Sequence, residues 1–201
     1  MDYLYYGIIF IMMVLFLFRL TNNLCLHLLN WKIVDNIKVK KVIANNPKVI
    51  VTILHTSIWD GFLTVFICCA LQIHVNNIVK YKFMQIINLV FPYYHTIILQ
   101  NSNTPAIIKY VNNTEHFILA IAPEGSRRYV ERWRSGWYHI ARGTDAVVIP
   151  IGFDYQSKTI YLNKVMRVTD NYEHDLQVMQ EELKQYPPCY PEACSLFGKK
   201  E

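Results

Sequence analysis

The sequence predicts an α/β fold, a single domain with a largely β-sheet core flanked by helices. Three observations predict it. Apolar runs of strand length, at 49–54, 117–121 and 146–152, alternate with stretches of helical character, the order that leaves a sheet covered by helices on its faces. Two of these runs open directly into short polar segments, His55 to Asp60 and Glu124 to Arg128, and strand tips of that kind are where open α/β sheets place ligands. At 201 residues the chain can bury one core, and it carries no internal repeat or low-complexity stretch.

Residues 1–31 read as an N-terminal hydrophobic membrane anchor. Tyr3 to Phe18 is uncharged, is interrupted only by Gly7 and is closed by Arg19. As a helix it reaches about 24 Å against a hydrocarbon core of about 30 Å, so it either spans with snorkelling ends or lies in one leaflet. A cleaved signal peptide is the competing reading, but Met1-Asp2-Tyr3 supplies no basic n-region and no small-x-small site follows the run. Arg19, Lys32, Lys38, Lys40, Lys41 and Lys48 come after it, which by the positive-inside tendency leaves the rest of the chain on the cytosolic side of the membrane. The net charge of +5 suits a surface touching anionic headgroups, or one that is simply solvated.

Residues 32–186 read as the globular domain. After a basic connector comes the strand at 49–54, then an apolar helix at 58–73. A short strand at 78–81, a helix at 83–90 and a strand at 96–99 follow. A helix at 105–112 is started by Thr104, with Pro105 in the first helical position. Next come the strand at 117–121, a helix around 136–142, strands at 146–152 and 159–162, and a final helix at 175–186 stopped by Pro187-Pro188. Residues 187–201 are expected to be a mobile C-terminal tail.

His55 and Asp60 set an imidazole and a carboxylate at the first strand tip. Taking a proton from an alcohol at neutral pH needs a base that titrates near ambient, held in one tautomer by a carboxylate. Ser57-Ile-Trp-Asp60 also fits a capping box, which explains Asp60 without chemistry and leaves His55 unexplained. At the second tip, Pro123 stops pairing, Gly125 permits positive φ, Ser126 adds a hydroxyl and Arg127 a fork suited to phosphate. An ordinary charged surface turn is the plainer account of that loop.

Taken together, these segments resemble the glycerolipid acyltransferase family, which includes the 1-acylglycerol-3-phosphate acyltransferases. His55 and Asp60 match its His-x4-Asp motif, Glu124-Gly125-Ser126-Arg127 its Glu-Gly-Thr-Arg motif with Ser for Thr, and Val147-Val-Ile-Pro150-Ile151 its apolar-Pro motif. Likeness to the bacterial-type branch extends through Trp133 to Gly136 and Gly152 to Tyr155, covering approximately Lys48 to Lys164. Where many members carry a phosphate-binding arginine after an apolar stretch, this chain has Gln100, an amide that cannot neutralise a phosphate.

The resemblance implies a membrane-associated acyltransferase that moves a fatty acyl group from a thioester donor, acyl-CoA or acyl-carrier protein, to a hydroxyl of a lysophospholipid or glycerol-phosphate-type acceptor. His55 would be the general base and Asp60 its orienting acid. Glu124, Gly125, Ser126 and Arg127 would position the acceptor, and the segment around Pro150 would shape the site or an acyl groove. No metal or further cofactor is implied. The alternatives are a catalytically silent relative that binds lipid or serves as a scaffold, and a thioesterase or other hydrolase.

The remaining residues exclude more than they add. Cys25, Cys68, Cys69, Cys189 and Cys194 lack the spacing of a disulfide framework or a four-ligand zinc site. Arginines interleaved with Tyr129, Trp133, Trp137 and Tyr138 superficially resemble a nucleic-acid surface, yet Glu124 and Glu131 interrupt the stripe. Beside an anchor, a headgroup interface is the better expectation and nucleic acid is not a predicted partner. There is no Walker loop, no dinucleotide fingerprint and no Gly-x-Ser-x-Gly elbow.

Overall fold

Strands that read as almost continuous apolar runs can bury both faces, and they form the centre of the sheet. The structure is a computed structural model that describes residues 26–78, 93–97 and 103–198. Most of the expected anchor, the helix expected at 83–90 and Gln100 lie outside these. No helix among the described residues is long and apolar enough to cross a membrane.

The eight-stranded sheet runs in the order β1 (Lys32–Asp35), β7 (Thr159–Leu162), β6 (Val147–Asp154), β2 (Lys48–Ile53), β5 (Phe117–Ile121), β3 (Val75–Ile78) and β4 (Tyr94–Ile97), with β8 (Met166–Arg167) paired to β6 off this path. Every pairing from β6 across to β4 is parallel, as is β1 with β7. β6 turns antiparallel to β7 and to β8. Pro150 sits in β6 between its residues that pair with β8, Val147 and Val148, and those that pair with β7, from Gly152 onward. A strand can hold a residue without an N–H where that edge has no ladder partner.

Period two sorts β2 between two cores. Val49, Val51 and Ile53 face α1 (Val39–Asn45) and α2 (Ile58–Leu71), while Ile50 and Leu54 face α3 (Thr104–Asn112), α4 (Gly136–Thr144) and α5 (Tyr172–Leu183). The polar member of the second face, Thr52, is fully buried and donates to Met179 Sδ at 3.3 Å. The helices leaving β2 and β5 thus go to opposite faces. A crevice opens where two such connections part, outside the carboxyl ends of their strands.

Several sequence expectations shift. The basic connector contains β1 and α1, the latter started by Asp35, whose carboxylate accepts from Val39 N at 2.9 and 3.0 Å. The strands expected at 78–81 and 96–99 begin earlier, as Val75–Ile78 and Tyr94–Ile97, and the expected residues 79–81 and 98–99 lie outside the described residues. Asn103, not Thr104, caps α3 by accepting from Ala106 N at 3.0 Å, and Asn171 starts α5 earlier than expected by accepting from His174 N. In both of these helices an asparagine side chain reaches a free helical N–H. The headgroup reading of the aromatics is also corrected. Trp133, Trp137 and Tyr138 are buried in the core on the α4 face, leaving Tyr129 exposed.

Residues after Pro187-Pro188 fold back on the domain as far as the described chain extends. A 3-10 turn, Pro191–Ala193, leads to Cys194, which is completely buried, and Ser195 Oγ accepts from Trp133 Nε1 at 2.9 Å. Among the described residues the cysteines are free thiols, and no group of side chains is arranged to hold a metal ion.

Candidate active site

The sheet register brings the two strand tips together. β2 pairs with β5 as far as Thr52 opposite Ile121, and each strand runs out within three residues of that pair, by His55 and Glu124. There the side chain takes over from the ladder, as the backbone N–H of His55 donates to Glu124 Oε2 at 2.7 Å. Glu124 is 2% exposed and accepts also from the Cys194 thiol. Burial raises its carboxyl above the ordinary glutamate range, against the lowering effect of these donors, and burial above all pushes the Cys194 thiol up to about 12. Glu124 therefore faces inward and ties the tips of β2 and β5 to the C-terminal segment.

Asp60 is also buried and heavily engaged. Its Oδ2 accepts from the backbone N–H groups of Thr56 and Ser57, each at 2.7 Å, while Ser57 Oγ accepts from Trp59 N at 3.1 Å, which completes the capping box of α2. Its Oδ1 accepts from the Tyr155 hydroxyl at 2.5 Å. His55 Nδ1 lies 3.6 Å from Asp60 Oδ2, within ion-pair range and beyond a hydrogen bond, and has no hydrogen-bond partner among the described residues. The carboxylate that completes the cap is thus also the one that faces the His55 ring.

The imidazole of His55 is partly exposed and borders a cleft of about 640 Å³ whose wall is mostly apolar. Ile53 and Ala120 from the sheet, Ile58, Phe62 and Val65 from α2, and Arg127 at the loop are among its lining. Gly61 also borders it, at a point where an added Cβ would meet nothing. A second, more polar cleft of about 410 Å³ is lined by Thr56, Ser57, Trp59, Ser126, Arg127, Arg128 and Tyr190. Arg127 and Ile58 border both spaces. A molecule with an apolar tail and an anionic head matches that pair of clefts, with His55 close to their junction.

The loop after β5 is built by its glycine. Gly125 has φ +66°, donates to Ala122 O at 3.0 Å, and lies so close under Arg134 that an added Cβ would be 2.6 Å from Arg134 Nε. Arg134 N donates to Pro123 O at 2.8 Å, which fixes the turn. Ser126 Oγ accepts from Arg128 N at 3.0 Å, so the hydroxyl shapes the loop as well as facing the polar cleft.

Of the residues singled out in the sequence, His55, Asp60, Glu124, Gly125, Ser126 and Arg127 converge on this place. Pro150 stands apart from the lining of either cleft, buried in β6 opposite Thr52. Sequence reasoning missed Tyr155 as a partner of Asp60, and Cys194 and Tyr190 as parts of the site. Their contacts span between 70 and 134 residues of chain, from Cys194 to Glu124 and from Tyr190 N to Thr56 Oγ1, and no local pattern announces such a contact.

The mostly parallel sheet, the helices parting to its two faces and the cleft at the strand tips define a glycerolipid-acyltransferase-like fold. One solved structure with this fold is the 1-acyl-sn-glycerophosphate (LPA) acyltransferase PlsC from Thermotoga maritima, at a TM-score of 0.57 and 16% identity, with 86% of this chain and 78% of that chain covered. No family model matches the chain. No curated protein matches it either.

Proposed function

We propose that this protein is an acyltransferase that moves a fatty acyl group from a thioester donor, acyl-CoA or acyl-carrier protein, to a hydroxyl of a lysophospholipid or glycerol-phosphate-type acceptor at a membrane surface, with the catalytic domain on the cytosolic side. The observation that carries this reading is the position of His55. Its ring borders an apolar cleft with Arg127 at the rim, while its Nδ1 is turned toward the buried Asp60.

The reaction follows from that placement. With Nδ1 directed at Asp60, Nε2 is the nitrogen left to take the proton of the acceptor hydroxyl. The oxygen attacks the thioester carbonyl, the tetrahedral adduct expels the thiolate, and the thiolate recovers the proton from His55. No covalent acyl-enzyme is needed. Arg127 and Arg128 meet the acceptor's anionic head in the polar cleft, and the apolar cleft takes an acyl chain.

The test is to incubate purified protein with labelled acyl-CoA and a panel of lysolipids, glycerol phosphate and non-phosphorylated alcohols, then identify the product by mass. A new ester on a phosphorylated acceptor is the expected result. Free fatty acid alone would make the protein a thioesterase, and no turnover of any thioester would leave a lipid-binding or scaffold role.

A further inference from the structure

We propose that Tyr155 is a positioning residue that acts on His55 through Asp60, an inference that rests on the base assigned to His55 above. Asp60 has two oxygens and two tasks. Oδ2 is held by the amides of Thr56 and Ser57 and is the oxygen that faces His55 Nδ1 at 3.6 Å. Oδ1 is the other oxygen, and the bond it receives is from the Tyr155 hydroxyl. That bond, together with the two amides on Oδ2, holds the rotation of the carboxylate about its own axis, and so which oxygen the imidazole meets.

Tyr155 is well placed to hold still. It follows the last residue of β6, its backbone N–H donates to Pro187 O at 3.0 Å, and its ring meets the edge of Trp31 at a centroid distance of 5.0 Å. Burial first, and the charge of Asp60 second, keep its hydroxyl protonated far above the usual tyrosine range, so it remains a donor at any working pH. The C-terminal segment and the chain before β1 thereby brace the orientation of the acid on which the base depends.

The experiment uses the full chain and compares Tyr155→Phe, Asp60→Asn and the double variant. Tyr155→Phe should lower kcat by about tenfold, the loss expected for one hydrogen bond to a charged group, with KM for donor and acceptor unchanged. In the Asp60→Asn background the same change should have no further effect on kcat, because its route to His55 is already cut. The NMR resonance of the His55 ring should move in Tyr155→Phe and stay put when the tyrosine is changed in the Asp60→Asn background. An equal loss of kcat in both backgrounds, or an unmoved His55 resonance in Tyr155→Phe, overturns the inference. Absence of acyl transfer by the unaltered protein overturns the acyltransferase reading instead, and the ring resonance then still decides whether Tyr155 is felt at His55.

Discussion

His55 and Arg127 divide the work at the strand tips, and single substitutions separate their parts. A well-placed base contributes roughly a hundred- to ten-thousandfold to rate. His55→Ala should therefore lower kcat for acyl transfer by at least about a hundredfold while the unfolding midpoint stays near that of the unaltered protein, because the ring is partly exposed and its Nδ1 makes no hydrogen bond among the described residues. Full rate in this variant would remove the imidazole from the mechanism. Arg127 borders both clefts and sits on an exposed loop. Its loss should raise KM for a phosphorylated acceptor by roughly ten- to a hundredfold, the range of a charge-assisted hydrogen bond, and leave KM for an uncharged alcohol unchanged. Much of this was legible in the sequence, since His55, Asp60 and the Glu124 loop each follow an apolar run that ends at a defined place. What the sequence left open was direction. Glu124 reads as an acceptor contact and lies buried against the His55 amide, a role visible only once the register of β2 and β5 is known.

At the scale of elements, α2 both caps the site and walls the cleft. Its capping box was readable from Ser57 to Asp60, because the hydroxyl and the carboxylate needed for it lie three residues apart. β1 and α1 were not readable, since a strand of four residues and a helix of seven offer too short a period to distinguish from a connector. Their stability comes from β7 and from the face of the sheet they cover. One residue of α2 breaks helical preference without a steric reason. Gly61 lies in the helix, a glycine there costs about 1 kcal/mol relative to alanine, and a Cβ at this point would meet open space in the apolar cleft. Gly61→Leu should leave the fold at least as stable and shorten the acyl chain accepted. Long-chain thioesters should lose at least tenfold in kcat/KM relative to short ones, in line with about 0.8 kcal/mol for each methylene displaced from the groove. An unchanged chain-length profile would place the acyl chain elsewhere.

On the scale of the whole molecule, Glu124 joins parts of the chain that are far apart in sequence, receiving the His55 amide from the tip of β2 and the Cys194 thiol from the segment beyond Pro187-Pro188. That segment looked like a tail because prolines and a short, unpatterned sequence give no local reason to fold, and what holds it down is long-range: burial of Cys194, the packing of Leu196 and Phe197, and the contacts to Trp133 and Thr56. The central carboxyl has a consequence for stability. Burial raises it above the ordinary glutamate value of 4.5 in the folded state, so folding favours the protonated form. Its contribution is fully present below the ordinary value, declines as the unfolded chain loses the proton first, and is lost once pH has risen through the folded value. Glu124→Gln keeps an acceptor for the His55 amide and cannot titrate. The stability of the unaltered protein relative to Glu124→Gln, followed by urea unfolding from about pH 4 to pH 8, should therefore fall steadily from the ordinary glutamate value upward and level off above the raised one. A difference that stays flat, or grows with pH, would mean that the hydrogen bonds from His55 and Cys194 outweigh burial and that the clamp between the strand tips is an ordinary ionised carboxylate.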